Sequence, residues 1–172
     1  GAIDPNRHIL VTTVSSIPYR IRLLPKSELD PNAPFNPRAG MPGGPPGLLG
    51  GTEFALDQGP LLSPFSMPCT APPWGTLVAV DLAQGRINWT VPLGTLDKLA
   101  PIPIPLNFGT PTAGGPILTA GGLVFVGAAL DEKFRAFDVE SGEELWKIST
   151  PTTANATPMT YEVDGRQYVV VA

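Results

Sequence analysis

The chain has 172 residues, a net charge of −4, 22 prolines and 19 glycines, but a single histidine and a single cysteine. With no Lys/Arg cluster and no basic face carrying interleaved aromatics, this balance argues against a nucleic-acid partner. One cysteine cannot close an internal disulfide, one histidine and one cysteine do not make an ordinary zinc site, and no apolar run approaches the ~20 residues of a membrane helix.

The abrupt start, Gly1-Ala2-Ile3-Asp4-Pro5, reads as the middle of a larger sheet, and His8 to Val14 follows as an apolar strand. His8, alone there, reads as a satisfied or exposed histidine rather than a catalytic base. From about Pro25 to Pro73 the chain is dense in Pro and Gly, with Pro42-Gly43-Gly44-Pro45-Pro46-Gly47 at its centre. Proline removes ladder donors and glycine adds an entropic cost, so residues 25–73 are expected to form a long insertion loop with no regular element. Its second half carries Phe54, Leu61, Leu62, Phe65 and Met67, enough apolar surface to pack. Two roles are open to it: a surface excursion capping one end of the domain, which is favoured, or a lid on a substrate cavity. Trp74, in Pro72-Pro73-Trp74-Gly75, reads as a loop anchor or a rim aromatic.

Residues 74–95 and 123–150 carry one pattern twice. Ala79-x-Asp81-x-x-x-Gly85-x-x-x-Trp89 returns as Ala136-x-Asp138-x-x-x-Gly142-x-x-x-Trp146, a shift of 57 (136 − 79). The residues before each Asp alternate as a strand does, Asp and Gly supply a tight turn, and a return strand ends in Trp. Each copy is a β-hairpin whose tryptophan is expected to be buried between neighbouring sheets, its indole N–H on a backbone acceptor. A short sheet that repeats and cannot bury both faces alone is a propeller blade. The fold class is therefore all-β, a partial β-propeller of about two blades, whereas a whole ring needs roughly four or more.

Between the copies, Pro101-Ile102-Pro103-Ile104-Pro105 predicts an extended polyproline-like path. Thr112 to Gly127 then reads as a small-residue strand, a Gly121-Gly122 turn and a strongly apolar strand. Inner strands crowd the propeller axis, so these glycines either leave room for a flat ligand or only satisfy packing, and composition alone favours packing. The chain closes on a hairpin, Tyr161-Glu162, the turn Val163 to Arg166, and Gln167 to Ala172, which stops on its last apolar residue. That ending predicts a piece of a longer protein.

Phe108-Gly109-Thr110-Pro111, Gly114-Gly115-Pro116, Thr119 to Phe125, Asp131 with Phe134-Arg135-Ala136-Phe137-Asp138, Gly142-x-x-Leu145-Trp146 and Ala156 to Tyr161 resemble the carboxy-terminal part of the membrane-bound quinoprotein dehydrogenases of the glucose, quinate and shikimate group. Asp4-Pro5-x-Arg7, Leu62-Ser63-Pro64-Phe65, Pro68-Cys69 and Pro72-Pro73-Trp74-Gly75 extend the likeness over essentially the whole chain. The resemblance implies an eight-bladed propeller, pyrroloquinoline quinone (PQQ) with Ca2+ or a similar divalent cation, a sugar or polyol substrate, and electrons passed to membrane ubiquinone. It also implies a catalytic domain on the periplasmic side of the inner membrane.

The family's catalytic aspartate, stacking tryptophan and basic quinone partner have no match here. Catalytic residues are thus expected upstream, in the remaining blades of the parent chain, no metal ligand is assigned, and the isolated fragment is expected to be inactive. The resemblance places Thr110, Gly114 and Gly115 on the inner strand facing the quinone, with Ala113 where related alcohol-oxidising proteins carry tryptophan. Asp131 aligns with an acidic residue near cofactor and substrate, although Asp131-Glu132-Lys133 also reads as a solvated hairpin tip. Thr13 falls where an asparagine often reaches the quinone and cation, and its hydroxyl reaches less far. The alternative function is a non-catalytic propeller scaffold or binding module, which shares the tryptophan-docked blade.

Overall fold

The computed structural model describes residues 1–172 apart from 33, 35, 42, 43, 65 and 98–105. Phe65 and the expected polyproline-like path of Pro101 to Pro105 lie outside the described residues. In chain order the strands are β1 (Ala2–Asp4), β2 (Ile9–Ser15), β3 (Tyr19–Pro25), β4 (Gly47–Leu48), β5 (Phe54–Pro60), β6 (Gly75–Asp81), β7 (Arg86–Pro92), β8 (Ile117–Leu118), β9 (Leu123–Val126), β10 (Lys133–Asp138), β11 (Glu144–Ser149), β12 (Met159–Val163) and β13 (Arg166–Val170). They fall into two compact units, Gly1–Ser16 with Pro72–Ala172, and Ile17–Ala71.

The larger unit holds two four-stranded antiparallel sheets, ordered β1-β2-β6-β7 and β11-β10-β9-β8, and the hairpin β12-β13. The two repeat copies form as expected. Asp81 Oδ1 accepts the N–H groups of Ala83 and Gln84, Asp138 Oδ1 those of Glu140 and Ser141, and Gly85 and Gly142 take the positive φ (65° and 73°) that closes each turn. Ala79 stands opposite Trp89 and Ala136 opposite Trp146, and the ladder slips by one residue immediately after each alanine. Repetition of the bulge as well as the residues shows that the motif encodes one local geometry. The tail hairpin pairs Val163 with Arg166 across Asp164-Gly165, both at positive φ, the two-residue turn that suits the strand twist.

Ile9, Val11, Leu77 and Ala79 of the first sheet meet Val124, Val126, Phe137 and Val139 of the second in one buried core. Alternation along each strand delivers these side chains to the shared face. Trp89 closes that interface: its ring lies over Gly142, where an added Cβ would fall 2.6 Å from a ring carbon, and its indole N–H donates to Val139 O at 2.9 Å. Trp146 departs from the expectation of burial. It is 47% exposed and meets Phe134 edge-on at 6.4 Å. The turn joining β1 and β2 adds a second tie, since Arg7 pairs with Asp4 at 2.6 Å and with Glu140 of the second sheet at 3.2 Å. His8 sits in this turn, exposed and at φ 54°, rather than on the strand.

The smaller unit corrects the reading of residues 25–73 as a loop without regular structure. β5 runs through the insertion at the centre of a three-stranded sheet ordered β3-β5-β4, and one 3-10 turn, Lys26–Glu28, follows β3. The prolines are compatible because they stand at strand ends, Pro25 opposite Phe54 and Pro60 opposite Tyr19, while Leu24 and Ala55, the pair next to Pro25, are both buried. Asp57 accepts hydrogen-bonded charge from Arg20 at 3.1 Å and lies 3.5 Å from Arg22 Nε.

Candidate functional site

The residues expected at the cofactor separate into two groups. The first lies at a junction of three chain segments. Thr13, near the end of β2, donates its hydroxyl to Gly114 O at 2.9 Å. Two residues on, Ser15 Oγ accepts the Thr112 N–H at 3.0 Å and lies 2.9 Å from Thr112 Oγ1. These bonds fix the segment leading into β8 along the end of β2. The third segment is the one leading into β12: an added Cβ on Gly114 would fall 2.2 Å from Asn155 O, and Gly114 has φ 117°. Gly114 is therefore glycine because another backbone occupies its side-chain space, as the packing reading of this stretch requires. Gly115 is buried beside it, its Cβ direction facing Gly1 N at 3.5 Å and Thr157 Oγ1 at 3.6 Å.

The second group is interior. Thr110, fully buried, accepts the Leu130 N–H on Oγ1 at 2.9 Å. The next residue, Asp131, has no exposed surface, so the hairpin-tip reading does not hold. Its Oδ1 accepts from Arg135 Nη1 at 3.1 Å, and its Oδ2 accepts from Arg135 Nη2, from Thr95 N–H at 2.9 Å and from the Thr95 hydroxyl at 3.1 Å. Burial by itself pushes the Asp131 pKa up, but the Arg135 hydrogen bonds and charge, with the Thr95 donors, outweigh it and hold the carboxyl below its ordinary value. A carboxylate so committed anchors structure and is not a free base.

The interior group continues into a charge cluster. Lys133 Nζ donates to Asp97 Oδ2 at 2.6 Å and to Thr95 Oγ1 at 3.0 Å, Arg135 Nε to Glu144 Oε2 at 3.0 Å, and Lys147 Nζ to Glu144 Oε1 at 2.6 Å. The Lys133 ammonium, then the Thr95 hydroxyl, hold the Asp97 carboxyl below its usual range. Among the described residues three cations face three carboxylates in these contacts, and no buried side-chain N or O lacks a partner. Sequence reasoning missed Arg135, although a lone arginine within the apolar strand Phe134 to Phe137 calls for a buried carboxylate. Nothing local singles out Asn155 or Thr157, which only the convergence of three segments brings to the junction. No group of three His, Cys, Asp or Glu side chains among the described residues could hold a metal ion.

Two four-stranded sheets joined face to face by a docked tryptophan define an arc of a β-propeller. The chain belongs to the family described as PQQ, glucose/ethanol/alcohol dehydrogenase, beta-propeller domain, which matches residues 1–169. It is 37% identical to the quinoprotein glucose dehydrogenase of Escherichia coli over 177 aligned residues, covering 99% of this chain and 22% of that protein. It is 41% identical to the quinate/shikimate dehydrogenase (quinone) of Acinetobacter baylyi, covering 71% of this chain and 16% of that protein. The quinohemoprotein alcohol dehydrogenase of Comamonas testosteroni superposes on 97% of the chain with a TM-score of 0.58 and 25% identity, using 20% of its own chain. The chain thus spans about a fifth of the curated relatives it matches over nearly all its length. No helix among the described residues is long and apolar enough to cross a membrane.

Proposed function

We propose that this chain is part of a PQQ-dependent dehydrogenase that oxidises a sugar, a polyol or a cyclic hydroxy acid of the quinate or shikimate kind and passes electrons to membrane ubiquinone on the periplasmic side of the inner membrane. The observation that carries the reading is the family match over residues 1–169, in a chain whose two sheets are locked by a docked tryptophan. The scaffold alternative accounts for the docking but not for the match. When bound, PQQ supplies the two-electron acceptor and Ca2+ or a similar cation the Lewis acidity beside it.

The residues present fit one wall of such a pocket. Gly114 lies at its surface with Gly115 packed beside it, Thr13 holds Gly114 in place, and Thr110 and Asp131 brace it from the interior through Leu130, Thr95 and Arg135. The remaining blades of the parent supply the catalytic carboxylate, the stacking aromatic and the cation ligands. The isolated chain is inactive on this account. The test is reconstitution of the full-length protein with PQQ and Ca2+, followed by dye reduction with glucose, quinate, shikimate and glycerol. Turnover with at least one substrate, and none from residues 1–172 alone, is expected. A full-length protein that does not bind PQQ overturns the reading.

A further inference from the structure

We propose that Asn155 and Thr157, on the segment leading into β12, are cofactor-contacting residues, and that the Thr13–Gly114 hydrogen bond is the device that positions them. The inference deepens the dehydrogenase reading and rests on it. Its physical basis is a contrast between a backbone that is locked and side chains that are not. Ala154 is buried, its carbonyl accepts the Ala128 N–H at 2.7 Å, and an added Cβ on Gly127 would strike it at 2.6 Å. Asn155 N–H donates to Thr153 O at 3.1 Å, and Asn155 O fills the space beside Gly114. Residues 153–155 are thereby held from two sides by backbone contacts that leave no room for even a methyl group.

Against that rigid backbone, the Asn155 amide and the Thr157 hydroxyl are exposed and make no hydrogen bond among the described residues. On the facing segments the Thr13 hydroxyl is engaged with Gly114 O, and Ser15 with Thr112. Asn155 and Thr157 together offer one amide, a donor and an acceptor in a single plane, and one hydroxyl that can act as either. Such a pair matches the carbonyl and carboxylate edge of a flat, polar, anionic ligand. Its position agrees with that role, because β1 and β8 are the strands farthest from the tryptophan-bearing β7 and β11 in their sheets, and Gly115, which faces Thr157 Oγ1, lies against Gly1 at the head of β1 and two residues before β8. A ligand on the axis of a ring of blades meets those inner edges. Polar groups pre-set on immobile backbone lose little freedom on binding, which is what a pocket wall needs.

The chain of dependence runs from Thr13 to Gly114 to Asn155. Removing the Thr13 hydroxyl leaves Gly114 O without its donor and frees the segment against which Asn155 is packed. Thr13 is a positioning residue in this scheme, and Asn155 and Thr157 touch the ligand.

The test uses the full-length protein stripped of cofactor, with PQQ itself as the probe and binding followed by absorbance, alongside the melting temperature of the cofactor-free protein. Asn155→Ala is expected to weaken PQQ binding about ten- to a hundredfold, the loss of one hydrogen bond to a charged partner, with an unchanged melting temperature. Asn155→Gln keeps the amide and recovers part of the affinity. Thr13→Val weakens binding less, about threefold to tenfold, and Thr13→Ser restores it. If wild type binds PQQ and both Asn155→Ala and Thr13→Val bind it equally well, the inference falls and the dehydrogenase reading stands. A loss of affinity that comes with a matching drop in melting temperature and is not recovered by Gln assigns Asn155 to packing and also overturns it. Failure of the wild type to bind PQQ removes the reading on which both depend.

Discussion

The two repeat copies share a turn, a bulge and an alanine opposite the tryptophan, yet Trp89 docks onto Val139 and Gly142 while Trp146 stands 47% exposed. The motif therefore encodes a local hairpin and one half of an interface. Whether the aromatic is buried depends on a Gly-bearing turn supplied from the next sheet, which the first copy has and the second lacks within these residues. A second contrast lies just ahead of each motif. The same shift of 57 that relates the copies places Asp131 where the first has Trp74 (131 − 57 = 74) and Arg135 where it has Val78 (135 − 57 = 78), and all four are buried. One blade fills these positions with apolar bulk and the other with an ion pair. A paired, hydrogen-bonded charge can replace hydrocarbon at a buried site provided neither partner is left alone.

Breaking the ionic solution is expected to have the largest effect. Asp131→Asn leaves Arg135 buried with only Glu144 as a counter-charge, and should cost about 3–5 kcal/mol of stability in the full-length protein. The double change Asp131→Leu with Arg135→Val, which imitates the first blade, should cost less than either single change. The pH dependence follows from the lowered carboxyl pKa in the folded state: the stabilisation is fully present above the unfolded value near ~3.9 and is lost as pH falls through the lower folded value. Denaturant melts across that acid range should therefore be steeper in pH for wild type than for Asp131→Asn. Equal slopes would mean that Asp131 is not charged in the folded protein.

Trp89→Ala removes a half-buried ring and its bond to Val139 O, an expected loss of about 2–4 kcal/mol, read from the denaturation midpoint. The glycines separate docking from turn chemistry. Gly85 and Gly142 have similar positive φ, so alanine at either carries a backbone cost of ~1 kcal/mol. Only at Gly142 does the new Cβ meet a ring, 2.6 Å from Trp89, whereas at Gly85 nothing lies within 4 Å. Gly142→Ala should cost about 1–3 kcal/mol more than Gly85→Ala, and the excess should vanish in a Trp89→Ala background. An excess that persists would place the strain in the turn and not in the docking.

Local chemistry explains what was legible. The Asp-to-Gly turns, the paired strands and the tail hairpin were readable because each is closed by residues within a few positions of one another, such as Asp138 with Ser141 and Asp164-Gly165. β5 was not, because Asp57, Gly59 and Pro60 are poor strand residues and the strand exists through its register with β3, which lies across the chain from it. Asp131 was misread for a related reason: Glu132 and Lys133 give it solvated neighbours in sequence, while Thr95 and Arg135 enclose it in space. Thr13, Gly114 and Gly115 came together at one junction, but the structure gives Gly114 a packing role through Asn155 that no spacing announces.

The smallest expected effect belongs to Trp146, and it bears most directly on the comparison. Its ring meets Phe134 and borders a shallow apolar cleft with Leu123, Phe125, Ala136 and Leu145, while among the described residues its indole N–H has no backbone acceptor of the kind Trp89 finds in Val139. Trp146→Ala should therefore change the stability of this chain by less than about 1 kcal/mol, in the range of an exposed substitution. In the full-length protein the same change should approach the cost of Trp89→Ala, because a further blade bearing the same turn would place its glycine under the ring and its carbonyl at the indole N–H. Thermal or denaturant melts of Trp89→Ala and Trp146→Ala in both contexts give four numbers, and the interface reading requires that only the Trp146 value rise strongly with chain length. If Trp146→Ala costs the same in both, the second aromatic is a surface residue, and the motif's tryptophan does not by itself demand a partner.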